Sequence, residues 1–305
     1  MQHSKSHHWV PQFYLRHWTD GDGRLVSFVH DSDRNFTGNP TPRFVVCEDH
    51  LYTVFTSDEN HIYGEESIFK TVDQDGAVAL DAALGPDWKN LSPELTEKLF
   101  RFIYLLAARH PSVRDGFIRN ESTIFAGVRA DLEAAGMHEY AARFFGELPK
   151  YFETTRDRAT LSMLLIAAFD RFAYKKIFFD SPRIFLETKD RAVLLTSDHP
   201  FTSAPTIGDE AAIHYFPLSP QRGLLLSRDE NKLKFIQGLG FDALVSFANL
   251  LTVLFANKCV YSNIRMNDAL ILEHLGGAYR YDREQFSEIV ARAFSKELTL
   301  GLIGQ

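Results

Sequence analysis

Cysteine is scarce in this sequence, which has only two cysteines, Cys47 and Cys259, among its 305 residues. Two thiols so far apart in the chain make neither a disulfide framework nor a thiolate metal site, so each is expected to be reduced and packed as a small apolar side chain. A run of about 18 apolar residues is also lacking, so no membrane-spanning helix is expected. Because the first residues lack the apolar stretch of a secretory signal, we expect a cytoplasmic protein.

Several cofactor-binding motifs are missing as well. No glycine-rich phosphate loop of the Walker or G-x-G-x-x-G type occurs, so no nucleotide cofactor is expected. Neither an HExxH motif nor zinc-finger spacing is present. An excess of positive charge is also missing, because the formal net charge is −7. A chain of this charge is no general nucleic-acid coat, although an anionic ligand or a nucleic acid can still bind at a local basic site.

The composition favours a large apolar core, because 45% of the residues are hydrophobic and 13% are aromatic. The predicted elements fall into a β-rich part over 1–56, a helical block over 61–174, a β part over 175–228 and C-terminal helices over 240–300. This order lacks the regular alternation of a doubly wound sheet. We therefore predict an α+β fold in a single domain over residues 1–305, with a mixed sheet, a large central helical block and C-terminal helices.

Hydrophobic periodicity and capping residues predict the individual elements. Helices are predicted over 10–18, 62–84, 113–133, 138–145, 151–173, 242–257, 267–275 and 283–298, with a further helix that begins at Ser92-Pro93 and ends before Pro111. Strands are predicted over 25–30, 43–47, 51–55, 176–179, 183–187, 192–196, 213–217, 223–227 and 259–262.

The N-terminal segment carries two adjacent histidines, His7 and His8, among aromatic residues. Neighbouring side chains point to opposite faces of a strand and diverge by about 100° on a helix, so only one of the two is expected to face a site. An imidazole there suits a general base or a metal ligand near neutral pH. The alternative is that both are surface histidines or the remains of a tag.

Gln12 and Arg16 follow four residues apart, which places them on one face of the predicted helix. A guanidinium on that face can hold a carboxylate or a phosphate through two parallel hydrogen bonds. Both residues are therefore candidates for substrate binding. The alternative is that Arg16 only pairs with a nearby acid or caps a helix.

A second polar motif, Ser197-Asp198-His199-Pro200, ends a strongly apolar segment. Asp198 and His199 are candidate catalytic residues, because a carboxylate at a strand end can bind a metal, act as a base or orient an imidazole. The alternative is a turn in which Asp198 accepts hydrogen bonds from nearby backbone N–H groups. Ser197 has no flanking glycines of a nucleophile elbow, so a serine hydrolase is weakly supported.

The helical block contributes acids and one arginine. Glu66 and Asp73, with Glu65 beside them, are seven residues apart and thus on one face of the predicted helix, where carboxylates are candidate metal ligands. The alternative is ordinary solvation of an exposed face. Arg109 ends an apolar helix and is a candidate for substrate binding, although a cation in a last helical turn also complements the helix dipole.

These motifs together resemble a bacterial family of unknown function, DUF4238, over roughly residues 5–265. The resemblance lies in the His-His-x-x-Pro-Gln-Phe-Tyr-Leu-Arg start, an acid-bearing helix, an Arg-x-Pro helix end, a Ser-Asp-x-Pro strand end and a Pro-Leu-Ser-Pro segment at 217–220. It implies a further polar position at Asn249, which we take as a candidate for substrate binding. Asp73 stands where the resemblance implies a glutamate. The family supplies no established activity.

The residue set favours a nuclease-like hydrolase of a phosphate-containing substrate. In that hypothesis His7 or His8 is the base, Arg16 and Arg109 bind phosphate, and a divalent metal ion at Glu66, Asp73 or Asp198 is a candidate cofactor. The alternative hypothesis is a non-catalytic binding or sensor module that recognises an anionic ligand or a partner.

Overall fold

The structure is a computed structural model that describes residues 5–30, 35–56, 61–152, 154–169, 178–179, 181–188, 192–204, 212–266, 268–282, 284–285, 288–289 and 292. Its helices are α1 (Gln12–Leu15), α2 (Lys70–Ala83), α3 (Pro93–Ala108), α4 (Pro111–Ala134), α5 (His138–Tyr151), α6 (Thr155–Phe169), α7 (Glu230–Gln237), α8 (Phe241–Phe255) and α9 (Asp268–His274). Its strands are β1 (Ser6–His8), β2 (Val26–His30), β3 (Asn35–Gly38), β4 (Cys47–Asp49), β5 (Thr53–Val54), β6 (Ile62–Tyr63), β7 (Arg183–Glu187), β8 (Thr196–Ser197), β9 (Thr202–Ala204), β10 (Ile213–Ser219), β11 (Arg222–Leu226) and β12 (Cys259–Ser262).

The chain divides into two compact units, each assembled from three separate stretches of sequence. Unit 1 comprises Met1–Trp9, Cys47–Gln74 and Ala108–Arg171. Unit 2 comprises Val10–Val46, Asp75–Ala107 and Phe172–Gln305. The expectation of a single domain stays a prediction.

Unit 1 combines two short strand pairs with the helices α4, α5 and α6. Strand β1 pairs antiparallel with β4, and His7 lies opposite Glu48 in that register. Strand β5 pairs with β6, after which Gly64 leads into a π-helical turn over Glu65–Phe69 that continues as α2. These two connections bring the N-terminal strand and the start of α2 into the same unit.

Unit 2 contains two four-stranded sheets, ordered β7-β11-β10-β9 and β3-β2-β12-β8. Helix α8 is buried along nearly its whole length, as expected for a helix that is apolar on all sides. Its Leu250 and Leu254 pack in a core with residues of β2 and β12, whereas its Val245 and Leu251 pack in a core with residues of β7, β10 and β11. The helix therefore supplies side chains to the apolar cores of both sheets.

The α+β class predicted from the sequence is confirmed, but the sheet was predicted wrongly. All strand pairs among the described residues are antiparallel, and the strands of unit 2 form two sheets rather than one mixed sheet. Antiparallel neighbours such as β10 and β11 are joined by a tight turn at Pro220-Gln221 and need no crossover helix. No helix of the described residues is long and apolar enough to cross a bilayer.

Most element predictions agree with the structure within a few residues. The strand predicted over 43–47 is wrong, because Pro42–Phe44 forms a 3-10 turn that the fixed φ of proline favours. The strand predicted over 192–196 is shifted, since regular pairing there is limited to β8. The helix predicted over 62–84 begins instead with strand β6. Helix α7 and strands β1, β3 and β9 have no counterpart among the predicted elements, and the predictions for 176–179 and 283–298 lie mostly outside the described residues.

Candidate functional site

Several of the polar residues singled out from the sequence meet in unit 1. We call this group the Arg109 cluster and define it as His7, Tyr52, Glu65, Phe69, Asp73 and Arg109. The members come from β1, the segment before β5, the π-helical turn, the first turn of α2 and the link between α3 and α4. The group therefore depends on three separate stretches of sequence, and no single motif contains it.

The two histidines of the opening motif have different environments, as the alternation of a strand requires. His7 is fully buried and His8 is only partly buried. The backbone N–H of Tyr52 donates to Nδ1 of His7 at 3.0 Å, and the two rings stack with centroids 5.5 Å apart. Because an amide N–H can only donate, Nδ1 carries no proton, and the neutral ring carries its proton on Nε2.

Tyr52 links the histidine to the arginine. Its hydroxyl donates to the carbonyl oxygen of Arg109 at 3.0 Å, and its ring lies 4.5 Å from that of Phe69. Burial raises the pKa of Tyr52 well above its ordinary value, so the phenol stays neutral. Tyr52 thus acts as a fixed donor that holds the backbone at Arg109 in place.

Arg109 is one of the most deeply buried charged side chains of the protein, with 1% of its surface exposed. Its Nη1 donates to Oδ1 of Asp73 at 2.8 Å, and the guanidinium carbon lies 5.5 Å from the centroid of the Phe69 ring. The carboxylate and the aromatic face both stabilise a buried cation. The Asp73 side chain is 21% exposed, so the ion pair lies where the interior meets solvent.

Glu65 occupies the first position of the π-helical turn, a geometry often found at functional sites. Burial raises the pKa of Glu65 from 4.5 to about 7, with Arg109 lowering it and the carboxylates of Asp73 and Glu66 raising it. Burial likewise raises the pKa of Asp73, against the opposing effect of Arg109. A carboxyl group that titrates near neutral pH can both give and take a proton under physiological conditions.

Gly64 allows the turn to approach Tyr52 closely. Its N–H donates to the carbonyl oxygen of Tyr52 at 2.8 Å. A Cβ atom at this position would lie 2.9 Å from that same oxygen and 2.5 Å from the Leu164 side chain. Only glycine therefore fits between Tyr52 and α6, and this contact sets the position of Glu65.

A carboxylate on β4 anchors the strand that carries His7. Glu48, opposite His7, accepts hydrogen bonds from both Nη atoms of Arg114 at 2.6 and 3.3 Å and from Nη2 of Arg156 at 2.8 Å. Two parallel bonds from one guanidinium fix orientation better than a single bond. Helices α4 and α6 are thereby tied to the β1–β4 pair.

His110 has a structural role in the same unit. It is the N-cap of α4, and its Nδ1 accepts the backbone N–H of Ser112 at 3.1 Å. Its ring meets that of Trp9 edge to face at 5.9 Å. The helix end predicted before Pro111 is thus confirmed, with Pro111 as the first residue of the next helix.

Asp198 lies in unit 2, where it binds backbone groups. It is 2% exposed; Oδ1 accepts the N–H of Asn257 at 2.8 Å, and Oδ2 accepts those of Lys258 and Cys259 at 2.7 and 3.3 Å. Burial raises the pKa of Asp198 to about 6, although these hydrogen bonds favour the ionised form and lower it. These contacts match the structural alternative, in which the carboxylate satisfies backbone donors.

Asn249 and His199 also lie in unit 2. Asn249 is fully buried in α8, where its Oδ1 accepts the N–H of Leu195 at 2.7 Å and its Nδ2 donates to the carbonyl of Val193 at 2.8 Å. The amide thus bonds the backbone on both sides of Leu194. The backbone N–H of His199 donates to Oγ of Ser197 at 3.1 Å, and burial lowers the pKa of the His199 ring.

Gln12 and Arg16 belong to unit 2 as well. Gln12 begins α1 and is partly buried, whereas Arg16 is exposed in the 3-10 turn that follows. The structure thus brings His7, Asp73 and Arg109 together in unit 1, with Glu66 on the adjoining turn. His8 also lies in unit 1, on the other face of β1. Unit 2 contains the remaining candidates, which are Gln12, Arg16, Asp198, His199 and Asn249.

Two of the three residues proposed as metal ligands, Asp73 and Asp198, have other partners. Asp73 pairs with Arg109, and Asp198 accepts backbone N–H groups. Among the described residues, no three His, Cys, Asp or Glu side chains gather as a metal site requires. The divalent ion stays a prediction, and the chemistry proposed below uses none.

Three residues of the cluster, Tyr52, Glu65 and Phe69, were not chosen from the sequence. Tyr52 lies in a predicted strand, where an aromatic residue indicates core packing. Glu65 was noted beside Glu66, but the seven-residue spacing favoured Glu66. The glycine before Glu65 is the one local signal of a close backbone approach, and the π-helical turn has no sequence signature of its own.

Comparison with known proteins supports the grouping made from the motifs. No curated protein and no solved structure matches the chain. A family model described as a protein of unknown function, DUF4238, matches residues 6–265, which include every residue of the Arg109 cluster. The chain therefore belongs to the DUF4238 family.

Proposed function

We propose that the Arg109 cluster is the active site of a hydrolase that acts on a phosphate-containing substrate. Glu65 is the general acid–base, and Arg109 is the group that binds the phosphate. The observation that carries this proposal is a carboxyl group with a pKa of about 7 beside a buried guanidinium. Perturbed acids beside a fixed cation are characteristic of catalytic sites.

The proposed reaction needs one proton donor and one nucleophile. Protonated Glu65 gives its proton to the leaving oxygen as the P–O ester bond breaks. Water attacks phosphorus, forms the new P–O bond and returns a proton to Glu65. The products are an alcohol and a phosphate, and the carboxyl group regains its starting state.

Arg109 stabilises the negative charge of the phosphoryl group during this step. A guanidinium suits phosphate because its donors are planar and its charge does not titrate in the physiological range. Asp73 holds the guanidinium in place, and the hydrogen bond from Tyr52 fixes the backbone that carries it. A group held in place before the reaction stabilises charge without reorganising.

Phosphate binding and the protonation of Glu65 reinforce each other. A negative charge near a carboxyl group raises its pKa further, so bound substrate keeps Glu65 in the acid form that the leaving group requires. The buried His7 ring accepts the N–H of Tyr52 and stacks on its ring, which helps to hold Tyr52 in place. The expected substrate class is a phosphodiester, which includes RNA and DNA.

The test is hydrolysis by the full chain of bis(p-nitrophenyl) phosphate, single-stranded RNA and single-stranded DNA. Each substrate is assayed in EDTA and with Mg²⁺, Mn²⁺ or Zn²⁺. We expect turnover in EDTA, with kcat changing around pH 7. Glu65→Gln should lower kcat by roughly 100-fold or more, the usual contribution of a general acid.

The matched control is Glu133→Gln, an exposed glutamate on α4 in the same unit. Its activity should equal that of the wild type. Full activity of Glu65→Gln, or turnover that requires a metal ion, would contradict the proposed chemistry. Thermal stabilisation by phosphate without turnover of any substrate would favour a binding module over a hydrolase.

A further inference from the structure

Unit 2 contains a cavity of about 110 Å³ that lies outside the Arg109 cluster. It opens between α3, the 3-10 turn at Trp88–Asn90 and strand β7. We call it the Trp88 pocket, with walls that include Trp88, Lys89, Leu99, Phe100, Arg183 and Phe185.

The walls of the Trp88 pocket are largely apolar and include three aromatic rings. The rings of Trp88 and Phe185 meet edge to face at 5.1 Å, and Leu99 and Phe100 are both buried. At about 110 Å³ the Trp88 pocket is smaller than the dry cavity of roughly 150 Å³ that accepts a benzene molecule, so it has room for the greater part of one ring or for a short acyl group. A complete nucleotide would not fit inside it.

Cations surround this apolar space. The Arg183 guanidinium lies 5.1 Å from the centroid of the Phe100 ring. Nζ of Lys89 and the guanidinium of Arg222 lie 5.5 and 5.0 Å from the Trp88 ring. The Trp88 pocket therefore combines flat aromatic surfaces with nearby positive charges.

One carboxylate forms ion pairs with two of these three cations. Glu187 lies 3.9 Å from Nζ of Lys89 and 3.4 Å from Nε of Arg222. Within the described part of the chain, Arg183 has no carboxylate in ion-pair distance. Arg183 is only partly buried, and this burial lowers its pKa. A partly buried charge without a carboxylate partner is energetically costly until an anion binds beside it.

We infer that the Trp88 pocket binds a small aromatic anion, with its ring in the cavity and its carboxylate or phosphate against Arg183. The ring would contact Trp88 and Phe100, and Lys89 would add positive charge at the entrance. This site uses residues of unit 2 only, so it does not depend on the hydrolase proposed above.

The test measures binding to the full chain by isothermal titration calorimetry. Benzoate and phenyl phosphate are the anionic probes, benzyl alcohol is the neutral probe and benzamidine is the cationic probe of similar shape. We expect the anions to bind at least about tenfold more tightly than the alcohol, and benzamidine not to bind, because a charge-assisted contact contributes about this much. The tighter of the two anions identifies the headgroup.

Two variants locate the site. Arg183→Gln should weaken the binding of both anions about tenfold or more, and Leu91→Trp should block all probes by filling the cavity. Lys234→Gln, an exposed cation of α7 in the same unit, is the control and should bind as the wild type does. Circular dichroism checks that each variant is folded.

Three results would overturn the inference. They are no binding of either anion at millimolar concentration, equal binding of the anions and benzyl alcohol, and unchanged binding by folded Arg183→Gln. None of them bears on hydrolysis by Glu65, so the two proposals fail separately.

Discussion

The Arg109 cluster of unit 1 and the Asp198 region of unit 2 contain the same kinds of residue but use them differently. In the cluster, charged side chains meet other side chains, as Arg109 meets Asp73. Asp198 and Asn249, by contrast, bind backbone groups of neighbouring segments. The first arrangement places two carboxyl groups with raised pKa values, Glu65 and Asp73, where the interior meets solvent. The second fixes the path of the chain.

This difference shows why residue type alone does not identify a site. An aspartate at a strand end and an aspartate on a helix are both plausible catalytic groups in a sequence. What separates them is whether the oxygens are bonded to N–H groups that the fold cannot move. The predictions below test this separation, starting with the largest expected effect.

Replacing Asp198 should destabilise the protein most. Asp198→Ala leaves three backbone N–H groups without their acceptor, and we expect a loss of roughly 3 kcal/mol or more in the free energy of unfolding. Urea denaturation measures the loss. The control is Asp229→Ala, since Asp229 caps the N-terminus of α7 at an exposed site and should cost about 1 kcal/mol. Equal losses for the two variants would remove the distinction drawn here.

Replacing Arg109 tests the side-chain pairing of the cluster. Arg109→Met leaves the Asp73 carboxylate without its cation, and we expect a loss of roughly 2 kcal/mol, reduced from that of a fully buried pair because Asp73 is partly exposed. The double variant Arg109→Met/Asp73→Leu should lose less than the sum of its two single variants. Additive losses in a double-mutant cycle would show that the pair does not act as a unit.

Replacing Glu65 should raise the free energy of unfolding at high pH, whereas the two replacements above lower it. Because its pKa is raised to about 7 in the folded protein, the folded state holds this proton more tightly than the unfolded state, and stability should fall as the pH rises from about 4.5 to 7. Glu65→Gln removes that dependence and should be more stable than the wild type at pH 8 by about 1–2 kcal/mol. Thermal unfolding between pH 5 and 8 measures it, and parallel curves for the two proteins would refute it.

The smallest expected difference in stability is between variants of the two histidines of the opening motif. His7→Ala removes a buried ring that accepts an N–H and stacks on Tyr52, and should cost about 1 kcal/mol. His8→Ala, on the other face of β1, should stay within about 0.5 kcal/mol of the wild type. Chemical denaturation of both variants decides this, and a larger loss for His8→Ala would mean that the faces of the strand are assigned wrongly.

Much of the fold follows from local patterns in the sequence. The apolar run of α8 and the proline at the start of α3 predict their helices within a residue or two. Strands β7 and β12 have the predicted bounds, because their β-branched and aromatic residues lie between clear turn signals. Strand β1 has no such signal, since its pairing with β4 joins residues about forty positions apart.

The candidate site was only partly predictable for a physical reason. Arg109 and Asp73 carry recognisable chemistry, and strand alternation separates His7 from His8. Burial beneath tertiary contacts raises the pKa of Glu65, the carboxylates of Asp73 and Glu66 raise it further, and Arg109 lowers it. A linear pattern does not contain these tertiary contacts. Asp198 was chosen as a catalytic candidate from its residue type, whereas the structure bonds it to backbone N–H groups. Its partners at 257–259 are remote in sequence, so no local pattern could reveal this bonding.

The π-helical turn at Glu65–Phe69 makes the effect of a deletion depend on where it falls. A π turn contains one residue more than an α turn, so removing Ser67 would let the segment close into a regular helix with little rotation of the residues before it. Removing Thr71, in the regular part of α2, would instead rotate every residue before it by about 100°, and Glu65 would leave the side of Arg109 while Asp73 stayed. The same loss of one residue is thus absorbed inside the turn and separates the acid from the ion pair when it falls one turn later.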